Sequence, residues 1–271
     1  MTWAAAVARL RARRESGVLV TVATVRGHAP RDAGAKLVVG LTETWGSIGG
    51  GNVEAVAIDR ARQMISVPKP APEPELIDFA LNDKVTNRHG VQCCGGTVSV
   101  LLEPLPVVRA VAIFGVGHVG LELARILARQ DLDLHLIDSR ADILTKERLD
   151  VLADAVAQVH VHHTPLLPEE VLEDLPPGTH VLIMTHDHAE DAALCDAALR
   201  TAHLGSIGLI GSAAKWTRFR KRLATEGGHA DSTIDRIKTP IGLPDITGKE
   251  PATIAVSVAA DLLRTFESEG D

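Results

Sequence analysis

Six residues, Gly115-Val116-Gly117-His118-Val119-Gly120, constrain this chain more than any others. They directly follow the apolar run Ala110–Phe114 and open a helical pattern through Leu127. The next apolar run, Leu134–Ile137, ends in Asp138, 23 positions after Gly115. Strand, glycines, helix, strand and terminal acid together form the dinucleotide fingerprint. Amides at a helix N-terminus receive a pyrophosphate there, and the carboxylate accepts from ribose hydroxyls. The candidate ligand contacts are Gly115, Gly117, His118, Gly120 and Asp138, and an Asp favours an unphosphorylated ribose such as that of NAD. The same glycines could serve only to pack a helix close to a strand.

The rest of the second half keeps the alternation. Strands are expected at Asp133–Ile137, Val156–Val161, His180–Met184 and Ser206–Ile210, and helices at His118–Arg129, Ala189–Arg200 and Ala214–Ala224. A last helix is expected from Pro251 to Phe266, with proline at its first turn. Short apolar strands between helices predict a parallel sheet covered on both faces. Before Glu103-Pro104-Leu105-Pro106 the character differs. Strands are expected at Leu19–Val25, Ala35–Val39, Thr44–Ile48 and Thr97–Leu102, with one helix after Asn52. Pro68–Pro74 reads as a stiff loop. The expected class is α/β: a C-terminal Rossmann-like doubly wound parallel sheet (107–271) and a smaller N-terminal α+β domain (1–106).

Composition narrows the function classes. At 45% hydrophobic and 23% charged residues this is an ordinary globular chain. The net charge is +2 over residues 1–106 and −9 beyond, which argues against nucleic acid. Lys215, Arg218, Arg220, Lys221 and Arg222 form a local basic run, read as a solvated helix face or an anion patch. No apolar run reaches the roughly 18 residues of a membrane span, so no stable insertion is expected. The opening Met1–Val7 is too short an apolar stretch for export; Trp3, Val7 and Leu10 instead mark one face of an amphipathic helix. Three cysteines point to a reducing compartment, the cytoplasm. A homodimer is the default assembly. Tyrosine is absent, which excludes Tyr-x-x-x-Lys hydride-transfer chemistry.

Other candidates are less specific. Gly49-Gly50-Gly51-Asn52 precedes the first domain's helix and fits an anion nest or a sharp turn equally well. Gly248-Lys249-Glu250-Pro251 opens the last helix in the same manner. His160 and His162 would share a strand face, with His163 beyond them, but no spacing typical of zinc accompanies them. His186 and His188 follow a strand at its carboxyl end, where doubly wound sheets bind ligands, and are expected to line a pocket. Cys93 and Cys94 stand side by side in Gln92-Cys93-Cys94-Gly95-Gly96. They read either as small buried hydrophobes or as a thiol site that glycine opens to a ligand.

Taken together, the motifs resemble a known family. Val25–Lys36, Gly46–Glu54 and Gln92–Gly96 look like the N-terminal domain of the XdhC/CoxI family, the xanthine dehydrogenase accessory proteins. Gly115–Gly120, Ile137–Arg140, Met184–Ala189, Gly208–Ser212, Pro240–Leu243 and Gly248–Pro251 resemble its Rossmann domain, in consistent order. Asp187 departs from that family's Thr-His-Ser-His pattern by adding a carboxylate. The resemblance implies a protein that binds molybdenum cofactor (molybdopterin), protects its sulfurated form and passes it to a xanthine dehydrogenase-type apoenzyme. A cysteine desulfurase is the implied sulfur source. Cys93 or Cys94 would contact molybdenum, since soft thiolates suit that metal. Gly49–Asn52 or Gly115–Gly120 would take the pterin phosphate, with Arg26, Arg31 and Lys36 as further anion contacts. The alternative is an NAD(P)-dependent oxidoreductase.

Overall fold

The computed structural model describes residues 1–67, 72–81 and 96–270, so the expectations placed on Cys93 and Cys94 lie outside the described residues. The chain divides into two compact units, Met1–Val107 with Glu267–Asp271, and Val108–Phe266.

The first unit contains α1 (Trp3–Arg13), β1 (Gly17–Arg26), β2 (Lys36–Gly40), β3 (Thr44–Gly46), α2 (Gly51–Ser66), β4 (Glu75–Ala80) and β5 (Thr97–Leu105). Its antiparallel sheet has the order β3-β2-β1-β5-β4. Period-two alternation sends Val18, Val20, Val22, Val98, Val100 and Leu102 to one face, against Val53, Ala57, Ala61 and Met64 of α2. On the other face Ala6 and Leu10 of α1 pack on Val38, with Leu19 and Trp45 beside them. Trp3, expected on the packing face, is instead exposed, with Lys36 Nζ 5.4 Å from its ring centroid. β5 runs through Pro104 rather than stopping before it. Pro104 pairs with Val18 on one side, while β4 reaches only Leu102 on the other, so the missing N–H falls where no neighbouring strand needs it.

The second unit contains β6 (Ala110–Phe114), α3 (His118–Leu127), β7 (Asp133–Asp138), α4 (Lys146–Leu149), β8 (Gln158–His163), α5 (Val171–Asp174), β9 (His180–Ile183), α6 (His188–Arg200), β10 (Ile207–Leu209), α7 (Ala213–Thr225), α8 (Asp231–Ile234), β11 (Ile237–Lys238) and, up to Phe266, α9 (Pro251–Gly270). All its strand pairs are parallel, in the order β11-β10-β9-β6-β7-β8. That is the doubly wound Rossmann order, with the chain reversing direction across the sheet between β6 and β9. β6 is buried on both sides. Val111 and Ile113 face α3 and α9 through Leu123, Leu127, Val258 and Leu262. Ala112 and Phe114 face α6 and α7 through Leu194, Ala198, Phe219 and Leu223. Among the described residues, no helix is long and apolar enough to cross a membrane.

At the β8 edge, three imidazoles share a face. His135 stacks on His160 and His162 with ring centroids 4.6 and 5.3 Å apart, and His135 Nδ1 lies 3.1 Å from His162 Nε2. Among the described residues no group of three His, Cys, Asp or Glu side chains could hold a metal ion. Burial lowers the His162 pKa and the charge of His160 adds to this, against the attraction of Asp174. A His with a lowered folded pKa binds fewer protons folded than unfolded, so its contribution is intact above pH 6.5 and lost as the pH falls through the lowered value. Thermal melting should therefore fall between pH 7.5 and 5.5, and less steeply in His162→Gln. Parallel pH profiles for the two proteins would count against this account.

Candidate functional site

In doubly wound sheets the ligand crevice lies outside the carboxyl ends of the strands, and in the second unit the loops after β6, β7, β9 and β10 occupy that position. Each fingerprint glycine meets a different need. Gly115 has φ +98°, and a Cβ there would strike the backbone of Met184 and Thr185 beyond β9. A Cβ on Gly120 would strike the Gly115 carbonyl, so α3 can approach the loop only through hydrogen. At Gly117 a Cβ would meet nothing within 4 Å. That peptide is the open one. His118 beside it is exposed.

The expected role of Asp138 does not fit. Its Oδ2 accepts from Val116 N at 2.8 Å and Arg140 Nη2 at 2.9 Å, and its Oδ1 accepts from Arg140 N at 3.0 Å and Nε at 2.9 Å. These fill the roughly four acceptor positions of a carboxylate. The side chain is 2% exposed. Burial raises its pKa, but the bonds from Arg140 and Val116 outweigh that and hold it below the usual range. The aspartate closes the loop from inside instead of facing a ribose.

A similar correction applies to Gly49, Gly50, Gly51 and Asn52. The anion their loop receives is the chain's own Glu54, from the first turn of α2. Glu54 Oε2 accepts from Ser47 Oγ at 2.6 Å, Ile48 N at 2.9 Å and Gly50 N at 3.0 Å. Burial pushes the Glu54 carboxyl up, while Ser47 and the backbone amides more than reverse it. An incoming phosphate would have to displace this carboxylate.

His186 and His188 are both exposed. Asp187 between them is the N-cap of α6, accepting from Ala189 N at 2.6 Å and Glu190 N at 3.3 Å. His188 lies edge-on to Phe219, with centroids 6.3 Å apart.

The groups that face inward were not singled out by the sequence. Asp191, fully buried, receives Lys215 Nζ on Oδ2, and both Thr185 N at 3.1 Å and Thr185 Oγ1 at 2.8 Å on Oδ1. Lys215 also donates to the Ile210 carbonyl at 3.0 Å. One ion pair thus fastens α6, α7 and the loops after β9 and β10. Ser139 Oγ donates to Glu190 Oε2 at 3.2 Å, joining the loop after β7 to α6. Burial raises the Glu190 pKa and the charges of Asp138 and Asp191 add to it, against Ser139 and His186. Elsewhere in the basic run Arg220 pairs with Asp231 and Asp235, and Arg222 with Glu226. Cys195 is packed in the core, and burial pushes its thiol up to about 12.

The model of the XdhC Rossmann domain matches residues 111–262, more than half of the chain, and that of the XdhC and CoxI family matches residues 10–77. The chain belongs to the XdhC family. The XdhC Rossmann match covers β6 through most of α9 and so contains the whole crevice. YqeB of Escherichia coli (strain K12) is 27% identical over 239 residues, 88% of this chain but 41% of YqeB. The chain therefore spans about two fifths of the length of this curated relative. A Bacillus halodurans crystal structure described as a xanthine dehydrogenase aligns at a TM-score of 0.49 and 19% identity, covering 99% of this chain and 96% of its own.

Two predictions follow from the packing. Lys215→Met leaves Asp191 buried without its counter-ion and should cost about 3–5 kcal/mol; adding Asp191→Leu should recover much of it. Denaturant unfolding of the single and double variants measures the coupling. Gly120→Ala should cost about 1–3 kcal/mol, because backbone must move. Gly117→Ala, at the N-cap of α3 with no clash, should cost less, about 0.5–1 kcal/mol. Equal losses at the two glycines would contradict an open Gly117.

Proposed function

We propose that this chain is a xanthine dehydrogenase accessory protein that binds molybdenum cofactor, protects its sulfurated form and delivers it to a xanthine dehydrogenase-type apoenzyme. One observation carries the reading: two models of one family match in order along the chain, at residues 10–77 and 111–262. The cargo has two chemically distinct ends, a thiophilic metal centre and a phosphate. Cys93 and Cys94 supply soft donors for the first, with a cysteine desulfurase as the partner that renews the sulfur. The open peptide at Gly117 can receive the second, whereas the Gly49–Asn52 loop is already filled by Glu54. Transfer requires a cargo that can leave, which suits binding through a few contacts rather than enclosure.

The competing reading is an NAD-dependent oxidoreductase, favoured by the strand order β11-β10-β9-β6-β7-β8. Against it stands the saturated carboxylate of Asp138.

Purification from molybdenum-replete cells separates the two. Molybdenum and pterin should co-purify with the wild type and be sharply reduced in Cys93→Ser or Cys94→Ser. Stoichiometric NAD with no pterin, lost in Gly117→Ala, would establish the oxidoreductase instead.

A further inference from the structure

Arg140 is the group that the filled carboxylate of Asp138 leaves in its place. Its guanidinium has five N–H donors. One on Nε and one on Nη2 go to Asp138, and among the described residues no other hydrogen bond of the guanidinium is formed. The side chain is 31% exposed, against 2% for Asp138. Solvent and ligand therefore meet the cation and not the acid.

Its position is fixed by a shared atom. Arg140 Nη2 and Val116 N both donate to Asp138 Oδ2, so the guanidinium stands beside the Gly115–Val116 peptide, one peptide before that of Gly117. Backbone and side chain of Arg140 both hold the carboxylate, through N at 3.0 Å and Nε at 2.9 Å, which pins the fork in one orientation. The other charges near it are Asp142 and Glu190. Glu190 already bonds Ser139, and burial raises its pKa.

A ribose 2′,3′-diol needs an acceptor for its hydroxyl protons, and Asp138 has none left. A phosphate monoester needs donors, and three guanidinium N–H groups remain. We propose that Arg140 is the specificity-determining residue of this crevice: it neutralises the fingerprint aspartate, excludes an NAD-type ribose diol and selects a ligand bearing a terminal phosphate monoester. The inference rests on the reading of the crevice as a cofactor site, and it names the part of the ligand that the second unit recognises. That phosphate could be the one on molybdopterin or the 2′-phosphate of an NADP-type dinucleotide.

The test is a set of titrations on the full chain, by calorimetry or ligand fluorescence, with two matched pairs. One pair is NADPH and NADH; the other is a 6-alkylpterin carrying a terminal phosphate and the same pterin without it. The wild type should prefer the phosphorylated member of at least one pair by about tenfold or more, the effect of losing charge-assisted hydrogen bonds. Which pair shows the preference identifies the source of the phosphate. Arg140→Ser should abolish the preference and, by releasing Asp138, strengthen NADH binding. Arg140→Lys, which keeps the charge without the fork, should retain part of the preference, so loss in Arg140→Ser with partial retention in Arg140→Lys and unchanged melting in both marks recognition and not misfolding. The proposal is overturned if NADH binds as well as NADPH and Asp138→Asn abolishes it, or if neither pair depends on the phosphate. Co-purified pterin with no phosphate preference would overturn this inference alone. A preference for NADPH with no pterin in the purified protein would overturn the proposed cargo and leave Arg140 in its role.

Discussion

A carboxylate removed from water must have its acceptor positions filled, and this requirement shapes the loops of the chain. Glu54 gathers Ser47, Ile48 and Gly50 ahead of α2. Asp138 gathers Val116 and Arg140 at the end of β7. Asp191 gathers Thr185 and Lys215 beside β9 and β10. Asp138 and Asp191 draw together segments more than 20 positions apart, Glu54 closes the loop just before its own helix, and each loop is fixed by an acid supplied from the chain itself. Glycine-rich turns that would otherwise present bare amides to a passing anion are thereby set in shape. The peptide at Gly117 escapes, and the crevice is open there.

The Rossmann half is legible in the sequence because its strands are buried on both faces. Ala110–Phe114 can be a continuous apolar run only if helices cover both sides, and alternation with helical segments then implies the parallel sheet. The antiparallel half is harder to read. β4, Glu75-Leu76-Ile77-Asp78-Phe79-Ala80, is an edge strand carrying charges on both faces, so no clean alternation announces it. β11 has two residues and leaves no pattern at all.

Site residues divide along the same line. Backbone requirements are visible, since Gly115 and Gly120 occupy positions that only hydrogen fits. Side-chain destinations are not. Whether Asp138 turns toward a ligand or toward Val116 depends on Arg140 two positions later, and the fingerprint spacing is identical in both cases. An acid in the first turn after Gly49–Gly51 was the available signal for Glu54, because helix N-termini favour negative charge. Lys215 lay hidden in a basic run in which Arg220 and Arg222 form surface ion pairs; only burial distinguishes it.

Cys195 has a practical consequence for chemistry on this protein. Sealed in the core with its thiol pushed up to about 12, it carries almost no thiolate at neutral pH. An alkylating agent, a maleimide dye or a soft metal offered to the folded chain will therefore pass it by. The remaining sulfhydryls are the neighbours at 93 and 94, so any label taken up without denaturant reports on that pair, with no need to engineer the third thiol away.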